Sequence, residues 1–143
     1  MKTSIITLVS MFLMVATLIG GLPKIEKLKT SDELVVTVTY TEPAISSCIY
    51  SFSGKQVVIK DRGKQLGRLV LTEDDIVKVD TYLDTVHRGK KASRSDLGGP
   101  IYSITHLKSG RKVGTWSYSI REPRKSSKPS LSLFALKKRL ENK

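Results

Sequence analysis

Cysteine is nearly absent from this chain. Cys48 stands alone, so no intramolecular disulfide is available and the core must hold the fold by packing. The thiol sits in an apolar setting, Cys48-Ile49-Tyr50-Ser51-Phe52, which predicts a buried small hydrophobe. Histidine is equally scarce: His87 and His106 are the only two. No CxxC or HExxH spacing exists, and structural zinc wants about four such ligands, so neither a metal nor a cofactor is expected. Nucleophilic catalysis lacks its usual signs, with no Gly-x-Ser-x-Gly elbow and no cysteine-protease motif. Residues 93–100 (SRSDLGGP) contain two glycines but run into a strand, unlike a phosphate-cradling loop that opens a helix.

Acidic residues are the other shortage. Thirteen face 25 basic ones, a net charge of +12 over 143 residues. That length holds one domain. The excess speaks to anionic partners and not to fold: an acidic protein, an anionic cell-envelope polymer, a lipid surface or nucleic acid. Nucleic acid ranks last, because none of the motifs of its binders is present.

What the chain does have begins at the N-terminus. Residues 3–23 carry no charge and are densely apolar, and Lys2 precedes them. A short basic start, an apolar run and small residues at Gly20-Gly21 read as a secretory signal. Left uncleaved, the run is about long enough to span a bilayer. Lys24, Lys27 and Lys29 follow closely, and such cations favour the cytoplasmic side, which keeps an anchored, inward-facing domain as the alternative. The expected division is 1–23 signal or anchor, 24–122 basic domain, and 123–143 linker with a C-terminal helix.

Residues 33–41 (ELVVTVTYT) alternate apolar and hydroxyl side chains, the period of a half-buried strand. Residues 48–53, 55–60 and 66–71 read as further strands, separated by turn signals at Ser53-Gly54 and Asp61-Arg62-Gly63-Lys64. Thr72 followed by Asp75 is a capping-box start, and Ile76, Val79, Leu83 and Val86 then fall on one helical stripe. Asp80 and Asp84 are expected on the solvated side of that helix. A hairpin is expected over 101–107 and 111–120, joined by a three-residue loop Lys108-Ser109-Gly110 that sets Tyr102 opposite Trp116. Residues 131–140 (LSLFALKKRL) form an amphipathic pattern that would dock Leu133, Phe134, Leu136 and Leu140 on the sheet. The sequence shows no internal repeat. The fold class expected is α+β: an antiparallel sheet of about five to six strands packed against one central helix, with a short C-terminal helix.

Besides a basic group around the first hairpins (Lys55, Lys60, Arg62, Lys64, Arg68), positive charge gathers in the loop after the helix (Arg88, Lys90, Lys91, Arg94) and in the tail (Arg121, Arg124, Lys125, Lys128, Lys137, Lys138, Arg139). Residues 121–143 hold eight basic and two acidic side chains, so +6 of the +12 resides there. These clusters are the candidate contact residues of a non-enzymatic binding module, exported or tethered at the membrane. It would engage an acidic protein or an anionic envelope or lipid surface. Two other readings stand beside it: a small enzyme pairing Cys48 with His106, and an anchored cytoplasm-facing nucleic-acid binder.

Overall fold

A computed structural model describes residues 21–40, 44–88, 100–119 and 131–143. Six strands form one antiparallel sheet: β1 (Asp32–Tyr40), β2 (Ser46–Ser53), β3 (Gln56–Asp61), β4 (Lys64–Val70), β5 (Ile101–Lys108) and β6 (Arg111–Ser119). Their order across the sheet is β4-β3-β2-β1-β5-β6. Helix α1 (Glu73–Arg88) and helix α2 (Leu131–Glu141) complete the α+β architecture, with a single 3-10 turn at Ile25–Lys27.

The alternation read from the sequence decides which face is buried. Leu34, Val36 and Val38 of β1 lie opposite Phe52, Tyr50 and Cys48 of β2, and all six are buried. Val57, Ile59, Leu69, Tyr102, Ile104 and Tyr118 extend the same apolar face toward both edges. Ile76, Val79, Tyr82, Leu83 and Val86 of α1 cover it, the stripe expected at helical spacing.

Local chemistry starts α1 where the sequence placed it. Asp75 N–H donates to Thr72 Oγ1 at 3.1 Å, and Thr72 N–H donates to Asp75 Oδ2 at 3.0 Å, a reciprocal cap that satisfies two orphan amides. Helix α2 docks as expected through Leu133 and Leu136, both buried in the shared core, with Leu140 against Gly67 of β4. It lies beside α1, on the area of the sheet that one helix leaves uncovered. Phe134 departs from the expectation: it is 42% exposed, with the Lys138 ammonium 5.0 Å from its ring centre.

The edge hairpins correct the expected register. Lys108 pairs with Arg111, so the loop is the two-residue turn Ser109-Gly110, with φ of 49° and 78°. Two positive φ values in succession define the type I′ turn, whose twist suits a hairpin. The odd offset needed to bring both apolar faces together comes instead from a bulge, where His106 pairs with Gly114 but Leu107 with Lys112. Tyr102 therefore sits opposite Tyr118, and Trp116 opposite Ile104.

The β3–β4 hairpin is built in the same way. Arg62-Gly63 form the turn (φ 49° and 79°), Asp61 pairs with Lys64, and the register shifts so that Lys60 meets Gln65 but Ile59 meets Gly67. A short motif thus recurs, Arg62-Gly63-Lys64-Gln65-Leu66-Gly67 and Ser109-Gly110-Arg111-Lys112-Val113-Gly114, where the sequence had shown no repeat. The copies lie on opposite edges with their turns at opposite ends, related by a half-turn about the sheet normal. A bulge on each edge strand also discourages further strand pairing.

Candidate functional site

The described acidic side chains are largely committed to internal partners. Asp75 caps α1 and also accepts from Arg139 Nη1 of α2 at 2.9 Å. Burial pushes the Asp75 carboxyl up, but the Arg139 and Thr72 donors outweigh it and hold it below its ordinary value. Asp61 accepts from Lys137 Nζ at 2.9 Å, and Glu141 lies 3.7 Å from the same ammonium. Burial works against the charged Lys137, yet the Asp61 contact prevails and raises its pKa. Asp74 pairs with Lys78 at 2.6 Å along α1.

Asp80 corrects the sequence reading most clearly. It is not a solvated surface carboxylate: it accepts from Ile25 N–H at 2.8 Å and from Glu26 N–H at 3.3 Å, clamping the N-terminal turn to α1. Burial raises its pKa despite those two donors. Asp32, itself buried, lies 3.9 Å from His106 Nε2. Burial lowers the His106 pKa, and Asp32 offsets this only in part.

The cations are distributed differently. Of the tail candidates, Lys137 and Arg139 hold α2 to β3 and α1, and Lys138 packs over Phe134. Arg88 is the last residue of α1. Lys90, Lys91, Arg94, Arg121, Arg124, Lys125 and Lys128 lie outside the described residues. The basic group around the first hairpins is legible in the sequence, whereas Lys108, Arg111 and Lys112 of the second edge hairpin were passed over. Among the described residues, Lys55, Lys60, Arg62, Lys64 and Arg68 of the first form no ion pair, nor do Lys108, Arg111 and Lys112 of the second. The recurring turn motif with a basic residue after its glycine was the signal available in the sequence.

No Cys–His pair is assembled. Cys48 pairs across the sheet with Val38, whereas His106 pairs with Leu34, so they stand two strands and four residues apart. That separation is roughly 15 Å at ordinary sheet spacings, far beyond a proton transfer. Burial also pushes the Cys48 thiol pKa up, the opposite of activation. His87 Nδ1 is instead 2.5 Å from the Tyr118 hydroxyl, and Tyr82 hydrogen-bonds Tyr102 nearby. This aromatic cluster ties the last turns of α1 to β5 and β6, with ring pairs edge-on at 5.7 and 6.0 Å.

Two of the clefts between described residues are shallow. One of about 360 Å³ lies between Ile25, Leu28, Gly54, Lys55, Glu73 and Ile76; the other, about 560 Å³, between Ala44, Ile45, Ser47 and Arg62. Among the described residues no group of His, Cys, Asp or Glu is placed to hold a metal ion. No described helix is long and apolar enough to cross a membrane, and the apolar run of the N-terminus falls almost wholly outside the described residues. Comparison with protein-family models, curated proteins and solved structures finds no match to this chain.

Proposed function

We propose that this chain is a non-enzymatic binding module, exported or held at the membrane by its N-terminal apolar segment, that engages an anionic envelope surface or an acidic protein. The observation that supports it is an asymmetry of charge pairing. Asp32, Asp61, Asp75 and Asp80 are held by partners within the fold and Asp74 pairs with Lys78 on the surface of α1, while the eight edge-hairpin cations have no ionic partner among the described residues. These five acids are paired, and the basic excess is left facing outward. The loop cations Arg88, Lys90, Lys91 and Arg94 and the tail cations Arg121, Arg124, Lys125 and Lys128 add to that excess in sequence.

Such a surface attracts polyanions at long range and loses that attraction as salt screens it, with a Debye length of about 10 Å at 0.1 M. The test is retention of the full chain on soluble polyglutamate and polyphosphate, and on anionic against zwitterionic vesicles, at low and high salt. The module predicts retention that depends on the anion and is lost in high salt. Equal retention on both vesicle types, with no binding to either polymer, would reject it. Export is tested separately by the mature N-terminus: Gly21 or Leu22 as first residue means a cleaved signal, an intact Met1 an anchor.

A further inference from the structure

Three chain segments, distant in sequence, bring positive charge to one end of the sheet. The segment entering β1 contributes Lys24, Lys27 and Lys29, the β2–β3 turn Lys55, and the β5–β6 turn Lys108 and Arg111. Ser109 N–H donates to the Ser31 carbonyl at 2.9 Å, joining the β5–β6 turn to the segment entering β1, which is itself turned by Asp32 N–H to the Lys29 carbonyl at 3.0 Å; Leu71 N–H ties the end of β4 to the Lys55 carbonyl at 2.8 Å. None of the six cations forms an ion pair among the described residues. Five carboxylates share this end: Asp32 and Asp80 are turned inward to His106 and to the Ile25 and Glu26 amides, and Glu26, Glu33 and Glu73 form no ion pair among the described residues, so the outward groups are six cations against three acids.

The place where the chain enters matters as much as the charge. Ile25, Glu26 and Leu28 line the cleft at this same end together with Gly54, Lys55 and Glu73. The uncharged run of residues 3–23 ends two positions before Ile25, a reach of at most about 7 Å. A segment inserted in a bilayer therefore cannot leave this end far from the lipid headgroups. Lys108 and Arg111, the paired terminal residues of β5 and β6, flank the type I′ turn at Ser109-Gly110, and both are exposed.

We propose that this end of the sheet, bearing Lys24, Lys27, Lys29, Lys55, Lys108 and Arg111, docks on the anionic headgroups of the bilayer that the N-terminal segment enters. The inference rests on the membrane reading of that segment and deepens it by giving the domain an orientation. The opposite end, with the Arg62-Gly63 turn, then points away from the lipid. Basic residues near an anionic membrane surface act roughly additively, each worth about fivefold in partitioning.

The test places a polarity-sensitive fluorophore on the full chain in a Cys48→Ser background, at Ser109→Cys or at Arg62→Cys, with vesicles of phosphatidylcholine alone or with about a third phosphatidylglycerol. The expected result is a blue shift of the Ser109 label on anionic vesicles, reversed by salt, and none for the Arg62 label. Lys55→Gln/Lys108→Gln/Arg111→Gln should abolish the shift and lower anionic partitioning by about a hundredfold. These are exposed turn and strand-end positions, and an unchanged urea midpoint shows that the variant folds. The proposal is overturned if the Arg62 label responds instead, or both respond equally, or soluble polyphosphate shifts the Ser109 label as much as vesicles do. Salt-sensitive binding unaffected by the triple variant would also overturn it, while leaving the general anion-binding reading intact.

Discussion

Replacing Leu136 with alanine tests whether α2 belongs to the fold or lies on it as a detachable basic helix. Leu136 is 2% exposed and shares the core cluster with Leu133, Val79 and Leu83. Deleting a leucine side chain at such a site removes its transfer free energy and leaves a cavity, together about 2–5 kcal/mol. With a urea dependence of about 2 kcal/mol per M, the midpoint should fall by roughly 1–2.5 M. The single tryptophan, Trp116, reports the transition in the full chain held in a mild non-ionic detergent. Phe134→Ala is the internal comparison: at 42% exposure it should cost less than about 1 kcal/mol. A second reading comes from Cys48, which is buried and sits close enough to Lys137 to feel its charge. If Leu136→Ala loosens α2, the thiol should react faster with an aromatic disulfide reagent in native buffer. Equal and negligible effects of Leu136→Ala and Phe134→Ala would refute the docked arrangement, because a helix that merely lies on the surface has no core leucine to lose.

Further outcomes follow from the same contacts. Asp75 has a carboxyl held below its ordinary value, so the stability it supplies is present above about pH 4 and lost as pH falls through its folded pKa. Arg139→Gln should reduce that acid loss in urea midpoints taken across pH 2–6. Asp80 acts in the opposite sense: its pKa is raised, so its contribution is full below the ordinary carboxylate value and lost as pH rises through its folded pKa; Asp80→Asn should flatten its part of the profile while loosening the N-terminal turn. The His106 pKa is lowered, so its neutral form suits the fold and stability should decline as pH falls below about 6.5. His106→Gln should remove that decline, and an unchanged profile would show that the imidazole is not desolvated. Gly67→Ala should cost about 1 kcal/mol or more, because φ is +151° there and the new Cβ would lie 3.3 Å from Leu140.

Elements with local causes were readable in the sequence. The capping pair Thr72 and Asp75, the stripe Ile76-Val79-Leu83-Val86 and the alternation over β1 each depend on neighbours within a few residues. The β5–β6 register was not, because an even turn with a bulge and an odd loop without one give the same facing pattern. Only Gly114, pressed against the Trp116 ring so closely that a Cβ would lie 2.6 Å from it, separates the two, and Gly67 marks the matching bulge. Asp80 was misread because its partners are backbone amides 55 and 54 residues away, with no side-chain signature. For the candidate site, composition gave the sign of the charge but not its sorting. Lys137 and Arg139 look like surface cations in a linear reading, and they turn out to fasten α2 to Asp61 and Asp75. The basic group from Lys55 to Arg68 was legible in the sequence; Lys108, Arg111 and Lys112 were not singled out, and the half-turn relation between the hairpins gives them comparable positions on the opposite edge.

The central claim is that basic charge left unpaired by the fold is what this chain presents to its partner. Binding of the full chain to immobilised polyphosphate, titrated from about 0.05 to 0.5 M salt, tests it most directly. The account predicts tight retention at the low end that collapses across the range, and a clear loss when Lys60, Arg62, Lys64 and Arg68 are changed together to glutamine. Retention that ignores salt, or that is untouched by removing those four charges, would contradict it.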